Sequence, residues 1–151
     1  GALIEIGMGI ATYLAFLPAM AVLFIITTQL INLSGQTPTH PIIKLFAGPP
    51  RTLVMIYLLA SVVAPILEET MFRGALFHHL RGRNGWWLSA LLVSLIFAII
   101  HPQGWTLVPV LGGLSMQFCF LREWRGSLIA SMTAHALNNG IVATLGILLL
   151  R

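Results

Sequence analysis

Long apolar segments alternate with short polar stretches along the chain, and this pattern predicts five helices. A helix needs about 20 consecutive apolar residues to cross the hydrocarbon core of a bilayer. The predicted helices cover residues 3–33, 52–80, 86–101, 107–121 and 127–150. The first helix is long enough to span the bilayer, with a kink at Pro18. Trp86 and Trp87 are expected to be interfacial anchors at the start of the third helix. We therefore predict an all-α, polytopic transmembrane bundle of about five spans.

Polar, Gly-rich and Pro-rich connections separate these helices. Residues 34–51 predict a loop, and residues 81–85 end the second helix. The third helix is expected to stop at His101, because a residue before proline is biased out of the α region. The polar residues 122–126 are expected to follow the fourth helix. The sequence shows no internal repeat, so we expect a single membrane domain over residues 1–151.

Composition supports a membrane protein. The chain has 151 residues, of which 58% are hydrophobic and 8% charged, whereas soluble domains carry about 25% charged residues. The net charge of +4 does not indicate nucleic-acid binding, because the arginines lie at the ends of apolar segments. A single cysteine, Cys119, excludes an internal disulfide. The first residues lack an initiator Met and a basic region, so we expect a fragment rather than a signal peptide.

The arginines also predict the orientation of the bundle. The second and fourth loops share one side of a five-helix bundle, and they hold Arg81, Arg83, Arg122 and Arg125. The positive-inside rule places this side in the cytoplasm. Lys44 and Arg51 in the first loop argue weakly for the opposite orientation.

Two adjacent acids lie in the middle of the second apolar segment. A charged side chain at mid-bilayer costs about 2.5–3.5 kcal/mol, so such residues are usually functional or paired. Glu69 and Arg73 are four residues apart, the favourable order for an ion pair on one helix face, while Glu68 points about 100° away. We predict that Glu69 pairs with Arg73 and that Glu68 is free to handle protons. The alternative is that both acids only pair with basic residues and lock helices together.

Polar residues on two further helices match these acids in expected depth. His101 ends the third helix, where the helix C-terminus stabilises an imidazolium, and Phe97 is placed to pack on its ring. His135 and Asn139 share a face of the fifth helix, whereas Asn138 points elsewhere and is expected to be structural. Hydrogen bonding between helices would explain each of these polar residues if it stood alone. Their common depth favours a single buried site.

This set of side chains suits amide hydrolysis. A carboxylate and a histidine can activate water, and a second histidine and an amide can donate hydrogen bonds to an oxyanion. The sequence contains no Gly-x-Ser-x-Gly turn and no His-Glu-x-x-His zinc motif. Glutamate and histidine can still ligate a divalent metal such as zinc, so the metal requirement stays open.

Three short motifs resemble those of one family, the CAAX protease and bacteriocin-processing (CPBP or Abi) family. Residues 68–73 are similar to its EExxxR motif, residues 97–101 to FxxxH, and residues 135–139 to HxxxN. The motifs occur in family order on successive predicted helices. The resemblance covers about residues 52–149, the expected family-like core.

The resemblance implies an intramembrane endopeptidase related to the Rce1 prenyl-protein endopeptidase. The family pattern assigns water activation to Glu68 and His101, oxyanion stabilisation to His135 and Asn139, and support to Glu69 and Arg73. It implies a prenylated protein or a bacteriocin-like peptide as substrate, the lipid bilayer as surroundings and no nucleic-acid partner. The expected location is a bacterial cell membrane, as a multi-pass protein. The family has been described as glutamate-dependent and as metal-dependent, so no metal ligands are assigned.

Three other functions fit the same residues. A non-catalytic immunity or scaffold protein of the same fold would use the polar cluster for helix packing. A haem-binding redox protein would use His101 and His135 as axial ligands, but it gives Glu68 no role. A proton-coupled transporter is less expected, because the sequence shows no inverted repeat.

Overall fold

A computed structural model describes residues 1–35, 45 and 48–150, and within them the chain forms helices and no strand. The five long helices are α1 (Ala2–Ser34), α2 (Pro50–Arg81), α3 (Trp86–Ile99), α4 (Val108–Arg125) and α5 (Ile129–Leu150). A short 3₁₀ turn, Trp105–Leu107, precedes α4. This architecture confirms the predicted all-α helix bundle.

Several helix ends differ from the predicted ones. Helix α3 ends at Ile99, two residues before His101. Helix α4 continues through the polar run to Arg125, because Gly126 adopts the left-handed conformation (φ 65°) and donates its N–H to Arg122 O at 3.0 Å. The polar residues 122–125 are therefore the last turn of α4 and not a loop. The predicted first loop includes residues 36–44 and 46–47, which lie outside the described residues, as does its Lys44.

Three of the helices are long and apolar enough to cross a membrane: α1, α2 and residues Ile129–Leu149 of α5. Helix α3 is apolar but has only 14 residues. Helix α4 has 18 residues and carries a charged last turn. The chain is thus an integral membrane protein in which two of the five predicted spans are shorter or more polar than a typical one.

Close helix crossings hold the bundle together. Helix α1 packs on α4 and α5, α3 packs on α4, and α2 packs on α5. At Gly9 of α1, an added Cβ would lie 2.5 Å from Ala130 O and 2.8 Å from Thr133 Cβ of α5, so only glycine fits this crossing. An ion pair of 2.8 Å between Arg125 and Glu5 ties the end of α4 to the start of α1.

Candidate active site

The predicted ion pair between Glu69 and Arg73 is present and fully buried. Arg73 Nη1 donates to Glu69 Oε1 at 2.9 Å, and both side chains are 0% exposed. Arg73 Nη2 also donates to Ser115 O at 3.0 Å and to Ser115 Oγ at 2.6 Å. Helix α2 is therefore joined to α4 through one guanidinium group.

Aromatic rings surround this guanidinium. Arg73 Cζ lies 4.8 Å from the Phe97 ring centroid and 5.1 Å from that of Phe118, within the range of cation–π attraction. The rings exclude water from the ion pair, which strengthens its electrostatic attraction. Arg73 therefore lies where α2, α3 and α4 meet.

His135 of α5 contacts both glutamates. Its Nδ1 lies 3.0 Å from Glu69 Oε1, and its Nε2 lies 3.7 Å from Glu68 Oε2. Because a carboxylate accepts hydrogen bonds, Nδ1 carries the proton and Nε2 faces Glu68. The imidazole is 4% exposed and stacks on Phe118 with ring centroids 4.8 Å apart. Both its position and its tautomer are thus fixed by neighbours.

Glu68 differs from Glu69 in what its oxygens contact. The Glu68 side chain is 31% exposed, and among the described residues its buried Oε2 has no hydrogen-bond partner. The 3.7 Å separation from His135 is longer than a hydrogen bond. Glu69 Oε2 also has no partner among the described residues, but Glu69 is 0% exposed and its Oε1 is held by Arg73 and His135. Glu68 is therefore the carboxylate that a water or a substrate can approach.

His101 follows α3 and packs on Phe97 as predicted, with ring centroids 4.3 Å apart. Its Nδ1 lies 2.5 Å from Phe97 O, so Nδ1–H donates to this carbonyl and Nε2 keeps its lone pair. The Phe97 ring also lies 6.0 Å from the His135 ring, which places it between the two histidines. Within the described part of the chain, no hydrogen bond joins His101 to Glu68.

Asn139 is bonded to the backbone of α2. Its Nδ2 donates to Ala60 O at 3.0 Å. This carbonyl is free because α2 adopts a π turn over Leu59–Val63, in which the Ala64 N–H donates to Leu59 O. In this register the donor for Ala60 O would be residue 65, which is Pro65 and has no N–H. Asn139 therefore satisfies a carbonyl that the proline leaves unpaired.

Asn138 bonds to α1, in agreement with its expected structural role, and it also contacts the side chain of Asn139. Its Nδ2 donates to Asn139 Oδ1 at 3.1 Å, and its Oδ1 accepts from Tyr13 OH at 3.4 Å. Two adjacent helix positions differ by about 100°, but side chains of this length can still meet where α5 is packed between α1 and α2. Asn138 thus orients the amide of Asn139.

Sequence reasoning missed three partners of the predicted residues: Ser115, the Ala60 carbonyl and Tyr13. A proline inside an α-helix signals a free carbonyl four residues earlier, so Pro65 indicates Ser61 O, and the π turn shifts the free carbonyl to Ala60. The serine and the tyrosine lie on α4 and α1 outside the motifs, and nothing in the sequence distinguishes them from packing residues. Two π turns, Leu59–Val63 and Thr70–Leu76, flank the adjacent glutamates and were also not predicted. Such turns are frequent at functional sites.

The side chains do not form a ready metal site. Catalytic zinc sites use three protein ligands, whereas the described residues contain no group of three or more His, Cys, Asp or Glu side chains that could hold a metal ion. In the described part of the chain, Glu68 Oε2 and His135 Nε2 lie 3.7 Å apart, and Glu69 Oε1 is bound to Arg73. The residues present therefore do not fit zinc, and the chemistry below is derived without a metal.

Comparisons with known proteins place this chain in a family. The model of the Rce1-like type II CAAX prenyl endopeptidases matches residues 50–141, which contain all six predicted site residues. The membrane-embedded CAAX protease MroQ of Staphylococcus aureus is 26% identical over 135 residues, 85% of this chain and 54% of that protein. No solved structure matches.

Two further relatives are bacterial proteins. The uncharacterized 24.3 kDa protein of Escherichia coli is 38% identical over 89 residues, 56% of this chain and 41% of that one. Protein YpbD of Bacillus subtilis is 32% identical over 96 residues, 62% of this chain and 46% of that one. The chain spans about half the length of the curated relatives that it matches. Because the family model covers more than half of the sequence, the chain belongs to the Rce1-like family of type II CAAX prenyl endopeptidases.

Proposed function

We propose that this protein is an intramembrane endopeptidase in which Glu68 activates the attacking water. The observation that carries the proposal is the different bonding of the two adjacent carboxylates. Glu69 is 0% exposed and its Oε1 accepts hydrogen bonds from Arg73 and His135, whereas Glu68 is 31% exposed and its oxygens accept no hydrogen bond from the described residues. A general base needs such an oxygen within reach of the proton that it removes.

His101 assists this base in the proposed mechanism. Its Nδ1–H is held by Phe97 O, so the lone pair of Nε2 is the available group. A histidine in this tautomer can accept a hydrogen bond from water and align it for attack. Glu68 takes a proton from the water as the oxygen attacks the scissile carbonyl, and the protonated carboxyl then delivers that proton to the leaving amine.

The oxyanion formed by this attack is stabilised by His135 and Asn139 in the proposal. His135 Nδ1–H is held by Glu69 Oε1, and in this proposal the ring acts on the oxyanion through a proton that Nε2 carries during the reaction. One N–H of the Asn139 amide is bonded to Ala60 O, and the second N–H is left for the oxyanion. Removing one such donor from an acyl-transfer site typically lowers kcat by about 10²–10³-fold.

The family and the membrane setting support a proposal for the substrate class. The related Staphylococcus aureus protein is named a membrane-embedded CAAX protease. We propose a prenylated C-terminal peptide or a short peptide at the membrane as the substrate. The proposed location is a bacterial cell membrane, and no nucleic-acid partner is proposed.

Cleavage of a fluorogenic farnesylated peptide by the detergent-purified protein tests this proposal. Wild type should cleave it, and Glu68→Gln should lower kcat/KM by about 10²–10⁴-fold because the general base is lost. His101→Ala should also lower it. A chelator should leave the rate unchanged, because the described residues contain no group of three ligands that could hold a metal ion.

Two matched controls keep the result specific. Glu5→Gln makes the same chemical change at the part-buried ion pair with Arg125, and His79→Ala removes an exposed histidine near the end of α2. Both should cleave at the wild-type rate. If folded wild type, Glu68→Gln and His101→Ala share one background rate, CAAX-type cleavage is wrong. A non-catalytic immunity or scaffold role would then explain the same buried cluster.

A further inference from the structure

A basic cavity lies at one end of the bundle, away from the candidate active site. It has a volume of about 170 Å³ and lies between the last turns of α2 and α4. This is several times the volume of about 30 Å³ that one water occupies in the liquid. Its lining consists of Phe77, His78, Arg81, Arg122, Glu123 and Gly126.

The charges around this cavity do not cancel. Arg81 donates to both carboxylate oxygens of Glu123 at 2.9–3.1 Å, so these two charges neutralise each other. Arg122 has no hydrogen bond or ion pair among the described residues, and its Nε is buried without a partner. A buried donor on a charged group is costly when unpaired, so Arg122 is suited to an anionic ligand. His78 supplies a further donor at the rim.

The position of the cavity indicates which anion reaches it. Trp124 of α4 and Trp87 of α3 are exposed near the same end of the bundle, at 52% and 67%. Exposed tryptophans are typical of the headgroup level of a bilayer, where lipid phosphates also lie. Basic pockets between helices on the cytoplasmic side commonly bind anionic headgroups.

We propose that this cavity binds the phosphate group of an anionic phospholipid, with Arg122 as its main ligand. The planar guanidinium matches the oxygens of a phosphate with two parallel hydrogen bonds. The Arg81–Glu123 pair forms the opposite wall. The site is independent of the proposed peptidase activity, because none of its residues contacts Glu68 or His135 within the described chain.

Lipid binding in nanodiscs tests the proposal. The protein is placed in phosphatidylcholine with increasing phosphatidylglycerol, and retained lipid is counted by native mass spectrometry at about 1 M salt, where the Debye length of about 3 Å suppresses diffuse attraction. Wild type should retain phosphatidylglycerol. Arg122→Gln should weaken this binding about tenfold, the usual effect of losing a charged hydrogen bond.

Arg83→Gln is the matched control, because Arg83 is exposed, lies in the adjoining loop and does not line the cavity. It should bind like wild type. Arg122→Lys keeps the positive charge but removes the planar guanidinium, so it should bind phosphatidylglycerol at an intermediate level. His78→Gln, at an exposed position, should weaken binding even if the Arg122 variants do not fold.

A parallel arm adds inorganic phosphate up to about 10 mM to protein in phosphatidylcholine and follows the unfolding temperature. No stabilisation by phosphate, together with selective retention of phosphatidylglycerol, supports the lipid as ligand. Stabilisation by phosphate that Arg122→Gln abolishes would show a free anion to be sufficient and would overturn the lipid assignment. Equal losses in Arg122→Gln and Arg83→Gln would show diffuse surface attraction and would overturn the site.

Discussion

Replacement of Arg73 by methionine is the sharpest structural perturbation of the buried network. The substitution keeps most of the side-chain volume and removes the charge that pairs with Glu69 at 2.9 Å. It also removes the two hydrogen bonds to Ser115. Both side chains of the ion pair are 0% exposed, so solvent cannot replace the lost partner.

The expected cost follows from this burial. Breaking a buried ion pair by removing one partner destabilises a protein by about 3–5 kcal/mol, because the remaining charge is buried and uncompensated. His135 Nδ1 stays hydrogen-bonded to the same Glu69 oxygen after the substitution, which places the expected value near the lower bound. We therefore expect Arg73→Met to lower the free energy of unfolding by about 3 kcal/mol.

The measurement is reversible unfolding in mixed detergent and SDS micelles, followed by far-UV circular dichroism. The double variant Glu69→Gln/Arg73→Met removes both charges and should recover part of the loss, because apolar or neutral replacement of a whole buried pair is often tolerated. Arg81→Met is the matched control. It breaks an ion pair whose side chains are 41% and 33% exposed, so about 0–1 kcal/mol is expected. Equal costs for Arg73→Met and Arg81→Met would refute the reasoning, and so would a double variant that is less stable than Arg73→Met.

Two further predictions concern the backbone contacts of α5. Asn139→Ala should destabilise the fold by about 1–3 kcal/mol in the same unfolding assay, because Ala60 O loses its donor. Adding Pro65→Ala should restore part of this loss, since the new N–H supplies a donor for that carbonyl; no recovery would contradict the π-turn account. Gly9→Ala should cost about 1–3 kcal/mol through overpacking. Gly7→Ala on the same helix meets nothing within 4 Å and should be neutral or stabilising, and similar losses at both glycines would contradict the close crossing.

The sequence predicted the helix bundle well because membrane spans follow from apolar length. It also predicted the Glu69–Arg73 pair, because residues four apart share a helix face. Such local rules do not predict how helices dock. The contact between Tyr13 and Asn138 joins residues 125 positions apart and depends on the crossing at Gly9.

The helix ends were less predictable than the helices. The charged residues at the end of α4 indicate a loop by composition, yet they complete a helical turn. Gly126 stops the helix one turn later than polarity suggests, because its left-handed conformation lets its N–H pair with the Arg122 carbonyl. The assignment of residues 1–151 to a single domain and the roles of the site residues stay predictions.

The central claim is that Glu68 acts in chemistry and not in holding the fold. The most direct test measures kcat/KM for peptide cleavage and the free energy of unfolding on the same preparation of Glu68→Gln. The account predicts a fall in kcat/KM of at least about 100-fold with an unfolding free energy within about 0.5 kcal/mol of wild type. Retained cleavage, or a loss of cleavage that merely follows a loss of stability, would contradict it.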